Sequence, residues 1–80
     1  MRLSEVRQNK TVKINRLLNK NNVFIKRIEA MGLKKGEKVK VEKRLGRNII
    51  VSLEGRKLAI DEKLAKEIEV EEWEKLKLHL

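Results

Sequence analysis

The chain of 80 residues has no cysteine and no proline, and its single histidine is His79. Without cysteine there is no disulfide, no zinc site built on thiolates and no thiol nucleophile. The only serines are Ser4 and Ser52, and neither stands in the context of a catalytic nucleophile, so a Ser-His-Asp triad cannot be assembled. One histidine also rules out an iron site of two histidines and one carboxylate. These absences predict a protein that is not an enzyme and that holds neither a cofactor nor a metal ion of its own.

Long apolar runs are absent as well. No stretch approaches the roughly 20 residues needed to cross a bilayer, and the N-terminal stretch lacks the apolar core of a signal peptide. We therefore expect a soluble, intracellular protein that forms one small domain.

Charge is abundant and unevenly placed, with a formal net charge of +9. Residues 1–57 hold 17 basic and 5 acidic residues, whereas residues 58–80 hold 4 basic and 7 acidic residues. A basic body of this kind favours an anionic partner or simply raises solubility.

Alternation of apolar and polar residues predicts five short strands. They lie at 11–18, 38–44, 49–53, 57–60 and 68–72. A period near 3.6 predicts a helix at 23–31, with Asn22 as its cap and Gly32 as its end. Asp61 is expected to cap one further helical turn. The order predicts an all-β-dominated fold: a small barrel of about five strands, with one short helix after strand 1 and one helical turn before the last strand. Closure of the barrel would leave no exposed sheet edge.

The segment RIEAMGLKKGEKVKV at 27–41 resembles the signature of the FeoA family. That signature is a helix ending in Leu/Met-Gly-Leu, two further residues, a glycine, and a strand with alternating valines. The matching residues are Met31, Gly32, Leu33, Gly36, Val39 and Val41, with further matches at Leu3, Val6, Gly55, Ala65, Ile68 and Val70. The resemblance covers nearly the whole chain and implies an SH3-like barrel at 1–72, followed by a C-terminal tail at 73–80.

The resemblance also implies a function. It points to a non-enzymatic accessory or regulatory protein of bacterial ferrous iron uptake, which binds the cytoplasmic part of the FeoB-type iron permease. A cytoplasmic location, with recruitment to the inner face of the membrane by the partner, is expected, and a monomer is the favoured state. The alternative is a basic binding module for nucleic acid or an acidic protein. Specific nucleic-acid binding is disfavoured, because single-strand binders stack bases on aromatic side chains and the only aromatics are Phe24 and Trp73.

SH3-like barrels often receive a peptide or helix beside their strands, so we expect apolar contact residues with a basic rim that steers association. The predicted contact residues are Met31, Leu33, Lys34, Lys35, Arg44, Leu45, Arg47 and Ile50. Burial in the core is the competing interpretation for the four apolar residues Met31, Leu33, Leu45 and Ile50. Leu45 lies in a predicted turn, where exposure is expected.

Two other patterns have ordinary explanations. Four carboxylates are near enough in the sequence to suggest a weak ion site, but a capped helical turn and a solvated strand face account for them. They are Asp61, Glu62, Glu67 and Glu69. The segment GLKKGEK is no phosphate-binding loop, because its glycines are too close together and no Lys-Ser/Thr pair follows.

The tail at 73–80, WEKLKLHL, fits two conformations. A helix would place Trp73, Leu76 and Leu80 on one face, whereas a strand would align Leu76, Leu78 and Leu80.

Overall fold

The computed structural model describes residues 1–73. The elements are the 3-10 turn η1 (Leu3–Glu5), β1 (Thr11–Leu17), α1 (Asn22–Ala30), β2 (Lys38–Leu45), β3 (Asn48–Leu53), β4 (Arg56–Asp61), α2 (Glu62–Ala65) and β5 (Ile68–Glu72). The predicted strands and the helix after strand 1 are confirmed, and each predicted end lies within one residue of the observed end. Between residues 1 and 73, no helix has the length and apolar character needed to span a bilayer. The predictions for Leu76, Leu78 and Leu80 lie outside the described residues.

The predicted cap of α1, Asn22, is wrong: the residue that caps the helix is Asn21. The Oδ1 atom of Asn21 accepts hydrogen bonds from the backbone N–H groups of Val23, at 3.0 Å, and Phe24, at 3.2 Å. Both asparagines suit a cap chemically. The loop selects Asn21, whose own N–H donates to Oδ1 of Asn19 at 2.7 Å and so directs its side chain toward the helix.

The other two helix boundaries agree with the prediction. Gly32 follows α1 with a φ of +97°. Glycine adopts this backbone conformation without strain, whereas a residue with a Cβ atom is destabilised in it. Asp61 caps α2, because its Oδ1 atom accepts a hydrogen bond from the Lys63 N–H at 2.7 Å.

The five strands form one antiparallel sheet in the order β4-β3-β2-β1-β5. The expectation that closure leaves no edge is wrong, since β4 and β5 do not pair. Helix α2 packs on β4 and η1, and η1 packs on β5, so these two short elements lie across the opening. Packing of helical turns thus replaces the hydrogen bonds that would have closed the barrel.

Two tight hairpins fix the register of β2, β3 and β4. Leu45 pairs with Asn48 across the turn Gly46–Arg47, and Leu53 pairs with Arg56 across the turn Glu54–Gly55. An irregularity between Val41 and Lys43 shifts the β2 register by one residue, which is typical of a β-bulge.

The core lies on one side of the sheet, beneath η1, α1 and α2. The alternation predicted for all the strands supplies most of it, and Leu3, Val6, Ile28, Leu33 and Ala65 complete it. Within residues 1–73 no polar or charged residue is fully buried. The charged groups therefore all reach the surface, where a partner can meet them. The inward strand residues are Val12, Ile14, Val39, Val41, Ile49, Val51, Leu53, Ile60, Ile68 and Val70.

Candidate protein-docking surface

The eight predicted contact residues do not share one surface. Leu45 is the last residue of β2 and not a turn residue, and Arg47 lies in the turn that follows; both are at the N-terminal end of β3. Met31 lies at the other end, because its carbonyl oxygen accepts a hydrogen bond at 3.2 Å from Nη2 of Arg56, the residue opposite Leu53. Six residues of extended strand hold these ends about 17 Å apart. The predicted set therefore separates into two groups, with Ile50 between them.

The group around Met31 offers little apolar surface. Leu33 is completely buried, and its N–H donates to the carbonyl of Ile28 at 3.2 Å, which folds it back onto the helix. Of the two interpretations of Leu33, the structure supports burial in the core, and its side chain offers no exposed surface to a partner. Met31 is half-buried and packs against the core, while Lys34 and Lys35 are exposed.

Arg44 has a structural role that the sequence analysis missed. One nitrogen of its guanidinium, Nη2, donates to the carbonyl oxygens of Ser4 and Val6, the latter at 3.0 Å. Arg44 thereby ties η1 to β2, and its charge is less free to meet a partner than that of Arg47. No local sequence pattern links positions 44 and 4, so only the tertiary structure could reveal this contact.

Leu45, Ile50 and Ala59 form an apolar strip on the outer face of the sheet, which we call the outer-face strip. Leu45 is 53% exposed, Ile50 is half-buried and Ala59 is exposed. Ile50 lies opposite Ala59 on one side and opposite Lys43 on the other. Leu45 is two residues from Lys43 and so is a diagonal neighbour of Ile50, within reach of its side chain. Sequence reasoning found Leu45 and Ile50 but not Ala59, which emerges only once the register of the β3–β4 hairpin is known.

A charged border surrounds this strip. Lys43 and Arg47 are exposed beside Ile50 and Leu45. Farther along the same face, Oγ of Ser52 donates to Oε2 of Glu42 at 2.7 Å. This hydrogen bond, and then the charges of Lys40 and Lys57, outweigh partial burial and lower the pKa of Glu42 below its usual value. Glu42 is thus a fixed negative charge in a largely basic border.

The four carboxylates considered as a weak ion site do not come together. Asp61 caps α2, Glu67 accepts a hydrogen bond from Asn19 at 3.0 Å, and Glu69 forms an ion pair with Arg16 at 3.4 Å. Over residues 1–73, no three side chains of the metal-binding types converge.

A concave surface lies between α1 and α2, and no sequence pattern predicted it. Phe24 and Leu64 form its apolar wall. The rest of its lining is Asn19, Asp61, Lys63 and Glu67. Both apolar residues are half-buried and pack against the core. We call this surface the interhelical groove. The hydrophobic period that predicted α1 gave no sign of it.

The described aromatic residues are poorly placed to stack on bases. Phe24 packs against the core, and the ammonium of Lys38 lies 4.5 Å from the ring centroid of Trp73. A cation over the indole face competes with a stacked base for the same surface.

Comparison with known families and structures gives a consistent result. A family model described as the FeoA domain matches residues 1–72. A search of curated proteins finds no match.

Among solved structures, an iron uptake regulatory protein (FeoA) is 25% identical, with a TM-score of 0.82 and coverage of 90% of this chain and 96% of that one. A FeoA-like protein from Clostridium acetobutylicum is 27% identical, with a TM-score of 0.81 and coverage of 91% and 86%. The FeoA of Stenotrophomonas maltophilia in complex with zinc, described as a prokaryotic SH3 domain protein, is 24% identical, with a TM-score of 0.76 and coverage of 89% of each chain. These similarities confirm the predicted SH3-like fold.

Proposed function

The chain belongs to the FeoA domain family, which is linked to ferrous iron transport, and from this premise we propose that it is a non-enzymatic accessory protein of iron uptake that docks on the cytoplasmic part of a FeoB-type permease. The observation that carries the proposal is the family match over residues 1–72. The domain division at residue 72 and a cytoplasmic location belong to the same proposal.

The outer-face strip is the contact surface we propose for the permease. Leu45 is one of three large apolar side chains that are exposed within residues 1–73, and it adjoins Ile50 and Ala59. Apolar anchors within a charged border are typical of protein interfaces, where the anchors supply affinity and the border steers association. The buried Leu33 and the engaged Arg44 are not part of this surface, and Met31, Lys34 and Lys35 lie at the far end of β3.

The test is an NMR titration of the labelled protein with the cytoplasmic domain of the permease, at about 150 mM salt, where weak polyanion binding is reduced. A mixed-sequence oligonucleotide is titrated in parallel. We expect shifts centred on Leu45, Ile50 and Ala59 with the permease domain alone. Shifts with the oligonucleotide alone would favour the basic nucleic-acid module instead.

A matched pair of variants locates the surface. Leu45→Ala removes an exposed apolar anchor from the outer-face strip, and we expect the dissociation constant to rise about fivefold to tenfold, as for a moderate interface anchor. Val23→Ala is the control, because Val23 is 67% exposed and lies on α1, away from the strip. Neither substitution touches the core, so both variants should fold.

The results distinguish two ways in which the proposal can fail: the contact surface can be wrong, or the partner protein can be wrong. Equal weakening by the two variants, or shifts centred on Phe24 and Leu64, would move the contact to the interhelical groove and leave the partner in place. No shift with the permease domain would refute the docking proposal itself.

A further inference from the structure

The two edge strands of the sheet, β4 and β5, differ in whether another segment pairs with their outer side. At the β5 edge, Arg2 forms a β-bridge with Glu69, and the Val70 N–H donates to the carbonyl of Met1 at 2.7 Å. At the β4 edge, α2 packs beside the end of the strand. No residue from 1 to 73 supplies a comparable hydrogen bond to Lys57 or Ala59, and both are exposed. An uncovered edge strand presents unpaired backbone groups that can pair with another strand.

The backbone groups that face this free edge follow from the ladder. In an antiparallel pair, alternate residues exchange both hydrogen bonds with the facing strand. The Glu62 N–H donates to the carbonyl of Arg47 at 2.9 Å and so continues the β3–β4 ladder beyond Asp61. Because every second residue faces β3, the backbone groups of Ile60 and Leu58, two and four residues before Glu62, also point toward β3. The intervening backbone groups, those of Lys57, Ala59 and Asp61, point away from β3.

The β4 sequence is complementary to itself around Ala59. A two-fold axis normal to an antiparallel strand pair keeps the same face of both copies on one side, so outward residues meet outward residues. With Ala59 on the axis, Lys57 of each copy lies opposite Asp61 of the other, and Leu58 lies opposite Ile60. Opposite charges in directly opposed positions stabilise a strand pair, and the small Ala59 side chains avoid a clash at the axis. A shift that places Leu58 on the axis would leave both charged residues without an opposite partner.

We propose that two copies of this chain associate through their β4 strands, antiparallel and with Ala59 on the two-fold axis, into a continuous ten-stranded sheet. The two Ala59 residues exchange both backbone hydrogen bonds, and the Lys57–Asp61 pairs lie on each side. The outer-face strips of the two copies then meet at the axis, because Ala59 lies opposite Ile50 in each. The proposal concerns the protein alone and does not depend on the permease.

The association is expected to be weak and therefore dependent on concentration. One pair of six-residue strands buries less than the roughly 1,200 Å² of total surface that specific, stable interfaces reach. Sedimentation velocity of the full chain from about 10 µM to about 1 mM covers the range of such affinities. Amide exchange at low and high concentration gives the local readout. We expect the protection of Lys57 and Ala59 to rise with concentration, while the amides of Leu58 and Ile60 stay protected throughout.

Charge reversal tests the register. Lys57→Glu places two like-charged pairs across the axis, and we expect the dimer dissociation constant to rise roughly tenfold or more. The double variant Lys57→Glu/Asp61→Lys restores opposite charges in exchanged positions and should recover most of that loss. Because Asp61→Lys also removes the α2 cap, the amide spectrum and the unfolding midpoint must first show that this variant is folded. Lys43→Glu is the matched control, since it makes the same charge change on the outer face of β2 and should leave self-association unaltered.

A backbone variant tests the strand pairing independently of charge. Ala59→Pro deletes an N–H that faces away from β3, and proline is tolerated at such edge positions. We expect it to abolish association with the fold retained, as judged by the amide spectrum.

Three results would overturn the proposal. The first is a sedimentation coefficient that does not change over the whole range. The second is association that survives both Ala59→Pro and Lys57→Glu, because another surface would then be responsible. The third is protection of Lys57 and Ala59 that is independent of concentration, which would place another segment of the same chain on this edge.

Discussion

Substitution of Gly32 tests how closely the end of α1 packs against the end of β3. It ends α1 with a φ of +97°, and a Cβ atom at this position would lie 2.7 Å from Cδ2 of Leu53 and 2.9 Å from Nη2 of Arg56. Carbon atoms that are not bonded to each other do not approach to 2.7 Å without displacement of one of them. Gly32→Ala therefore strains the backbone and also disturbs the end of β3.

Two effects are expected to lower the free energy of unfolding of the Gly32→Ala variant. A positive φ costs alanine about 1–2 kcal/mol relative to glycine. Leu53 is 1% exposed and held in the core, so making room for the methyl group adds about 1–3 kcal/mol, the usual range for overpacking. Arg56 can swing away, but it then gives up its hydrogen bond to the carbonyl of Met31. We expect Gly32→Ala to lower the free energy of unfolding by about 2–5 kcal/mol.

Gly36→Ala is the matched control. Gly36 has a similar φ of +92°, but nothing lies within 4 Å of the position its Cβ atom would take. Gly36→Ala should therefore lower the free energy of unfolding only by the cost of the positive φ, about 1–2 kcal/mol. Equilibrium unfolding in urea measures both variants, and we expect their free energies of unfolding to differ by about 1–3 kcal/mol. Equal losses would refute the reasoning, because they would show that Leu53 yields without cost.

Two further predictions concern single side chains. Asn21→Ala should lower the free energy of unfolding by about 1 kcal/mol through loss of the α1 cap, whereas Asn22→Ala should leave it nearly unchanged; thermal unfolding compares them, and equal effects would show that Asn21 is not the cap. Ser52→Ala should raise the pKa of Glu42 toward its usual value, measured by NMR titration of the Glu42 carboxyl carbon. In the unsubstituted protein the lowered pKa of Glu42 contributes stability that is present above the usual pKa and is lost as the pH falls through the lowered one. Ser52→Ala should weaken this dependence on acid pH. An unchanged pKa would instead assign the shift to Lys40 and Lys57.

The prediction of the strands succeeded because burial on one face requires a period of two residues. Ile49, Val51 and Leu53 are alternate residues of the strand predicted at 49–53, and all three are buried. The prediction of the docking surface was less complete. Leu45 is exposed as predicted, and of the two interpretations left open for Leu33, burial in the core agrees with the structure. A residue that follows a helix end has no period from which its direction can be read.

The family resemblance, the order of the elements and the glycine at the end of α1 could be read from the sequence. These features depend on local conformation and on the alternation of side chains along the chain. The folded sheet was needed to show which strands form its edges, that Arg44 holds η1, and that Ala59 lies beside Ile50. These features depend on the register between strands and on contacts between residues distant in sequence, which are selected by the packing of the whole core and leave no periodic signal at the positions concerned.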